Sequence, residues 1–184
     1  KLLPEMIKLA ESLGAQAHHI FLLVPTGRAK EMVGEELSAQ EYEEALKFLA
    51  AEKKRSGLEI KVTCAPHFNR ILLQGHGAEA ASLRGRGCMA GVSFCFISHT
   101  GELQPCGYLE IKCGNIRDAG FKKTWLESQT FNDLRDWSKY KGKCGLCEFR
   151  PVCSGCRARA YAKYKDYLRD EPYCTYEPKI KQKK

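Results

Sequence analysis

The densest group of cysteines lies between Cys144 and Cys156, where four thiols occur within thirteen residues. They form two Cys-X-X-Cys pairs, a spacing that lets neighbouring sulfurs bind one metal ion or one cluster. Gly145 and Gly155 can adopt tight-turn conformations inside these pairs. The segment therefore predicts two metal-binding knuckles, and Cys174 supplies a fifth thiol farther along the chain.

Cysteine content limits the class of protein. Ten cysteines in 184 residues exceed the usage of an ordinary cytosolic enzyme, and the chain is too long for a disulfide-stapled miniprotein. The sequence shows neither a signal-peptide pattern nor an apolar run of membrane-spanning length. We therefore expect a segment of a larger cytoplasmic protein that does not contact membranes, with metal binding favoured over disulfides or inert buried thiols.

The formal net charge of +8 counts every cysteine as neutral. Each four-thiolate iron-sulfur cluster or zinc site carries about −2, so two such centres would leave roughly +4. The basic excess is thus weak evidence for nucleic acid, and no nucleic-acid partner is expected. The cations that follow the knuckles are expected to form a solvated helix face, although cations near an anionic cluster also stabilise it. They are Arg157, Arg159, Lys163 and Lys165.

The first part of the chain alternates between helical and extended patterns. Apolar residues recur with helical spacing over residues 2–13, and residues 19–24 resemble a strand buried on both faces. Ser38 and Glu41 form a capping box for a second helix, and residues 58–64 alternate like a second strand. The order helix, strand, helix, strand predicts an α/β layer.

Two strands leave exposed edges, so upstream strands are expected to complete this layer. Ligands of parallel α/β sheets bind outside the carboxyl ends of the strands, which points to the predicted turns at residues 25–28 and 65–70. Arg28, His67 and Arg70 are candidates for anion contacts in these turns. Ordinary exposed loop residues are the competing interpretation.

The composition changes near Gly75, and residues 75–87 predict an irregular connector. We therefore expect two domains, an α/β domain at residues 1–74 and a small cysteine-rich α+β domain at residues 75–184. Aromatic residues between positions 121 and 137 predict two short helices, the second capped by Thr130.

A small hairpin is predicted at residues 92–106 from alternating phenylalanines and a central turn. Cys95 lies on the face of the hairpin opposite the phenylalanines. Cys88 at the entry and Cys106 at the exit could lie on that same face. Cys113 follows without a short-range partner. Three sulfurs are therefore expected around one hairpin.

Seven cysteines and one glycine are spaced as in the SPASM domain, which this chain resembles and which follows the barrel of many radical S-adenosylmethionine (SAM) enzymes. The matching residues are Cys88, Gly101, Cys106, Cys144, Cys147, Cys153, Cys156 and Cys174. The chain departs from the family between Cys153 and Cys156, where two residues replace the usual three. The resemblance covers residues 88–174, and residues 1–68 resemble the end of the family's partial TIM-like barrel.

Three further segments resemble the branch of this family that makes haem by the sirohaem-dependent route or makes d-type haem. They are FLLVPTGRAKEM, CAPHFNRI and CMAGVSFCFISHTGELQPCGYLEIKCGNIRD. The resemblance implies a reaction in which a 5′-deoxyadenosyl radical abstracts hydrogen from a propionate of an iron porphyrinoid. The carbon radical then loses carbon dioxide or the whole side chain, and one electron leaves, which an auxiliary cluster could accept.

The resemblance also implies the ligands of two auxiliary [4Fe-4S] clusters. The first cluster would be held by Cys88, Cys106 and Cys156 with Cys95 as fourth ligand, for which Cys113 is the competitor. The second would be held by Cys144, Cys147, Cys153 and Cys174. Cys64 and Cys113 are otherwise expected to be structural thiols.

No triplet of cysteines spaced by three and then two residues occurs in the sequence, and the radical-generating cluster of the family needs one. The enzymatic activity is therefore expected of a longer protein, a SAM-dependent oxidoreductase or decarboxylase. An iron tetrapyrrole is the expected substrate, and a ferredoxin or flavodoxin the expected electron donor. Arg28 and Arg70 are the candidate cations for binding the carboxylates of SAM or of the substrate, and Arg84 and Arg86 are further candidates.

Other functions remain open at this point. A peptide-modifying maturase with the same domain would present its clusters to a precursor peptide instead. A zinc-binding interaction module would use the two knuckles as a single site with four thiolate ligands, but it leaves Cys88, Cys95, Cys106 and Cys174 without a role. A simple electron carrier would explain clusters but not the α/β layer.

Overall fold

The computed structural model describes residues 2–76 and 87–179. Most of the predicted connector, including Arg84 and Arg86, lies outside these residues. Five helices and strands make up the first part of the chain. They are α1 (Leu3–Ser12), β1 (Ala17–Phe21), α2 (Ala39–Arg55), β2 (Glu59–Thr63) and α3 (His67–His76).

Local signals explain where these helices begin and end. Helix α1 is followed by Gly14, whose φ of +69° lies in the left-handed region that favours glycine. The capping box of α2 is confirmed: the Glu41 amide donates to Ser38 Oγ at 3.3 Å, and the Ser38 amide donates to Glu41 Oε2 at 2.8 Å. These bonds satisfy amides that a helix N-terminus otherwise leaves unpaired.

Strands β1 and β2 are parallel, with Ala17 opposite Glu59 and Phe21 opposite Thr63. The connection between them contains a 3₁₀ helix (Gly27–Glu35) and α2. Residues from α1, α2, β2 and α3 share one apolar core, which includes Ile7, Leu46, Leu49, Ile60 and Phe68. The prediction that the first strand is buried on both faces is wrong, because β1 alternates in burial and Phe21 is 59% exposed.

The predicted turn at residues 65–70 is largely helix, because α3 begins at His67. Phe68, Ile71 and Leu72 place an apolar face of this helix in the core. His67 and Arg70 are therefore buried helix residues and not exposed loop residues.

The second part of the chain contains a small hairpin and short helices, as expected for the cysteine-rich α+β part. Strands β3 (Phe96–Ile97) and β4 (Leu103–Gln104) pair antiparallel, which confirms a hairpin, although a shorter one than predicted.

Thr130 does not cap a helix, because α6 (Gln129–Arg135) starts one residue before it. The helices are α4 (Ile116–Ala119), α5 (Phe121–Glu127), α6 (Gln129–Arg135), α7 (Gly142–Leu146) and α8 (Arg157–Tyr164).

A second apolar cluster joins the two parts of the chain. Val24 from the first part packs with Leu109, Leu134 and Ala158 from the second, and Cys156 is buried among them. Among the described residues, no helix is both long and apolar enough to cross a membrane.

Candidate metal centres

Four cysteines line one cavity beside α7, and we call them the knuckle group: Cys144, Cys147, Cys153 and Cys174. Cys144 lies within α7 and Cys147 directly follows it, whereas Cys153 and Cys174 lie in loops. Three cations line the same cavity, namely Arg70, Lys143 and Arg150, together with the carboxylates of Asp170 and Glu171. The cations would offset part of the negative charge that several thiolates bring to the cavity.

Two donors approach the sulfur of Cys144. The Glu171 amide lies 3.3 Å from this sulfur and Arg157 Nη2 lies 3.7 Å from it. Carbonyl oxygens of Tyr167 and Arg169 hold the guanidinium at 3.1 and 2.6 Å. Burial would lower the pKa of Arg157, but the nearby Cys144 and other anionic groups hold it above its ordinary value. The predicted solvated face is therefore wrong for Arg157, which is 1% exposed.

Gly155 leaves room for these groups. Its φ is +63°, and a Cβ at this position would lie 3.3 Å from Cys144 Sγ and 2.5 Å from Arg157 Nη2. A side chain would thus force the sulfur and its cationic partner apart. The absence of a side chain here keeps the knuckle group and Arg157 in contact.

Four other cysteines line a second cavity of about 350 Å³, and we call them the bridging group: Cys64, Cys88, Cys106 and Cys156. Each comes from a different segment. Cys64 directly follows β2, Cys106 lies two residues after the end of β4, and Cys156 is the N-cap of α8. The structure therefore brings together the three predicted members Cys88, Cys106 and Cys156, and it adds Cys64 to them.

The remaining cysteines lie apart from both groups. Cys95 directly precedes β3, lines neither cavity, and has a pKa that is raised by burial. Cys113 also lines neither cavity, and its thiol lies 3.5 Å from the Ile111 carbonyl oxygen. Burial raises the pKa of Cys113, whereas hydroxyls of Ser128 and Thr130 lower it, so its neighbours lie around α6.

One buried ion pair connects the two groups. Arg159 Nε donates to Glu171 Oε1 at 2.8 Å, and both side chains are 1% exposed. Glu171 Oε2 accepts from the Cys156 amide at 2.7 Å, while Arg159 also donates to the carbonyl oxygens of Leu23, at 2.9 Å, and Cys64. The prediction of a solvated helix face is therefore wrong for Arg159 too. Glu171 was not among the residues predicted from the sequence. Its position three residues before Cys174 was the only sequence signal.

The predicted anion-binding residues differ in their placement. Arg28 is exposed in the 3₁₀ helix after β1. Arg70 is 2% exposed and paired with Glu43, with Arg70 Nη1 3.2 Å from Glu43 Oε1 and 2.6 Å from Gln74 Oε1. His67 is fully buried, and burial lowers its pKa to about 4, so it is neutral at physiological pH.

The donor set fits an iron-sulfur centre better than an oxygen-ligated ion, because thiolates are the usual ligands of such clusters. Burial raises the pKa of Cys106 to about 11 and raises those of Cys153 and Cys156 further. These thiols are therefore protonated until a metal displaces the protons. In the described part of the chain, no three His, Cys, Asp or Glu side chains are arranged to hold a single metal ion.

Clustered thiols with buried cationic partners define a cysteine-ligated cluster-binding domain. Residues 88–157 match the SPASM family, whose description is an iron-sulfur cluster-binding domain. Residues 88–157 thus contain a SPASM domain, as the cysteine spacing predicted, and iron-sulfur clusters are confirmed as the cofactor class.

Curated relatives refine this assignment. The chain is 46% identical over 189 residues to the AdoMet-dependent heme synthase of Oleidesulfovibrio alaskensis, covering 96% of this chain and 48% of the relative. It is 47% identical over 184 residues to that of Nitratidesulfovibrio vulgaris (95% and 50%) and 46% over 183 residues to that of Methanosarcina barkeri (93% and 51%). The resemblance to the haem branch of radical SAM enzymes is confirmed, and the chain spans about half the length of these relatives.

Proposed function

We propose that this chain is the auxiliary-cluster part of a radical SAM enzyme that modifies propionate side chains of an iron tetrapyrrole. One observation carries the proposal. Two groups of thiols, joined by the buried pair of Arg159 and Glu171, lie in a chain 46–47% identical to AdoMet-dependent heme synthases. The whole protein would then be an enzyme that uses SAM.

Residues 1–74 would form the end of the partial barrel, and residues 75–184 the SPASM domain. The parallel pairing of β1 and β2 across a helical connection supports a barrel origin, because βαβ units build such barrels. The apolar cluster shared by both parts supports their packing as one unit.

The ligands of the two clusters would come from the two cavities. For the second cluster, the shared cavity supports all four knuckle cysteines, Cys144, Cys147, Cys153 and Cys174. For the first cluster, the shared cavity supports Cys88, Cys106 and Cys156. Cys95 lacks this support, because it lines neither cavity.

Bound iron-sulfur clusters would supply single-electron transfer. The protein's residues hold the thiolates, exclude water and balance their charge. Arg157 and the Glu171 amide donate to the Cys144 sulfur, and such bonds to ligand sulfurs raise a reduction potential. Converting a propionate into a vinyl group removes one hydrogen atom and carbon dioxide and leaves one electron, so the reaction requires an acceptor of this kind.

A cavity of about 500 Å³ at the carboxyl end of β1 is the candidate site for substrate carboxylates. Pro25 and Thr26 from the predicted turn line it. Its basic lining residues are Lys30, Arg159, Lys163 and Lys165. Lys30 pairs with Glu110 and Arg159 with Glu171, so Lys163 and Lys165 are the candidates among them for a substrate carboxylate. Arg28 lies in the adjoining 3₁₀ helix and could reach SAM or a propionate, whereas Arg70 is committed to Glu43.

The electron donor would be a ferredoxin or flavodoxin, which supplies the electron that reductive SAM cleavage consumes. A cytoplasmic location belongs to this proposal, because cysteines stay reduced and available as ligands in that compartment.

The proposal is tested by removing the first cluster from the complete protein. A Cys88→Ala, Cys106→Ala double variant should still release 5′-deoxyadenosine from SAM, because radical generation needs only the upstream cluster. It should yield little decarboxylated tetrapyrrole, because the electron left by decarboxylation lacks its acceptor. Reduced enzyme would be incubated anaerobically with SAM and an iron porphyrinoid, and both products followed by mass spectrometry.

The control is Cys113→Ala, which removes a thiol outside both cavities. Full product yield from a double variant that lacks the cluster would refute the electron-acceptor role. Activity of the wild-type protein towards peptides but not towards porphyrinoids would instead indicate a peptide maturase.

A further inference from the structure

Cys64 occupies a position that the SPASM cysteine pattern does not include. It directly follows β2 in the α/β part, yet it lines the cavity of about 350 Å³ together with Cys88, Cys106 and Cys156. It also packs against the apolar cluster that contains Cys156. A strand end of the first part therefore contributes a thiol to the cysteine-rich part.

The backbone of Cys64 is held in an unusual conformation. Its φ is +62°, a left-handed value that strains the backbone of a non-glycine residue. The Cys64 carbonyl oxygen accepts a hydrogen bond from Arg159, whose guanidinium also donates to the carbonyl oxygen of Leu23, two residues after the end of β1. The buried pair of Arg159 with Glu171 thus fixes a strained turn that directs this residue to the cavity.

The environment of the sulfur agrees with this placement. The guanidinium of Arg159 donates to the Cys64 carbonyl oxygen, so a cation lies beside this residue and can balance the charge of a thiolate. Cys95, in contrast, lines neither this cavity nor the cavity of the knuckle group.

We propose that Cys64 is the fourth thiolate ligand of the first auxiliary cluster, an inference that rests on the proposed function. Three thiolates of the bridging group already line this cavity, and a [4Fe-4S] cluster takes four. On binding, the Cys64 thiol loses its proton to solvent and its sulfur bonds to one iron. The cluster then joins the end of β2 covalently to the SPASM domain, so its presence fixes the relative position of the two parts.

The test compares single variants of the complete protein, purified and reconstituted anaerobically. Cys64→Ala should lower the iron content by between about one and four atoms per chain, because the cluster either loses one iron to become a three-iron form or is lost altogether. Cys95→Ala and Cys113→Ala, the matched controls, should keep the wild-type iron and sulfide content. Electron paramagnetic resonance at low temperature should show a three-iron signal, or loss of one cluster signal, in Cys64→Ala alone.

Cys64→Ser separates ligation from packing, because it keeps the size of the side chain and replaces the sulfur with oxygen. A spectrum changed from that of the wild type, with an unchanged melting temperature of the metal-free protein, supports ligation. Wild-type iron content and spectra in both Cys64 variants would overturn the inference, as would loss of the first cluster in Cys95→Ala. Wild-type protein without two auxiliary clusters would instead contradict the proposed function itself.

Discussion

The knuckle group and the bridging group contain four thiols each but are assembled in different ways. Three members of the knuckle group lie within residues 144–153, and only Cys174 is distant. The bridging group draws its members from four segments between Cys64 and Cys156. Local turns can therefore form most of the first arrangement, whereas the second requires the packed fold and the buried pair of Arg159 and Glu171.

Breaking that pair should have the largest effect and should affect both groups. Arg159→Met leaves the Glu171 carboxylate buried without its partner, which typically costs about 3–5 kcal/mol. We expect the free energy of unfolding to fall by this amount, measured by anaerobic chemical denaturation with circular dichroism. Lys163→Met, an exposed position on the same helix, is the control. An Arg159→Met, Glu171→Leu double variant should recover part of the loss. Equal stability of Arg159→Met and Lys163→Met would contradict the role of the pair.

Removing Cys174 should affect only the knuckle group. Cys174→Ala is expected to lose about four irons and four sulfides per chain while the first cluster remains, because the bridging thiols lie in a separate cavity. Iron and sulfide analysis of anaerobically purified protein measures this outcome. Simultaneous loss of both clusters would show that the two groups do not form independently.

A smaller effect is expected from filling the space beside Cys144. Gly155→Ala introduces a side chain at a left-handed position, which costs about 1–2 kcal/mol, and its Cβ would meet Arg157 Nη2 at 2.5 Å. Iron occupancy of the knuckle group should fall partially, with the bridging group unchanged. Gly34→Ala, where a Cβ meets nothing within 4 Å, should leave both unchanged. Equal occupancy in the two variants would mean that the close approach at Gly155 is unimportant.

The smallest change concerns the hydrogen bond from Arg157 to Cys144. Arg157→Lys keeps the charge but removes the guanidinium that spans this sulfur and the carbonyl oxygens of Tyr167 and Arg169. The reduction potential of the second cluster should fall by on the order of tens of millivolts, because a donor to its ligand sulfur is lost. An anaerobic potentiometric titration would follow both clusters. A shift confined to the first cluster would contradict the assigned geometry.

Features that depend on residues close in sequence were predictable. Cysteine spacing indicated the SPASM domain, and the Ser38–Glu41 capping box and the hairpin before Cys106 were found as expected. Each involves groups separated by a few residues, for which backbone geometry alone limits the possible arrangements. Spacing served less well in the second Cys-X-X-Cys pair: Cys144 and Cys147 line one cavity together, whereas Cys153 and Cys156 line different cavities.

Tertiary structure decided which distant groups meet. A charged run such as RARAYAK resembles a solvated helix, yet Arg157 and Arg159 are each 1% exposed. Their burial depends on the carbonyl oxygens and the Glu171 carboxylate that the fold brings to them, because an unpaired charge would not remain buried. Likewise, sequence proximity favoured Cys95 as a neighbour of Cys88, whereas packing of the β2 end against α8 brings Cys64 there instead. The sequence by itself determined the number of thiols and the local pair of Cys144 and Cys147. The packed core determined which other thiols share a cavity, because contacts between residues far apart in the chain follow from burial and not from spacing.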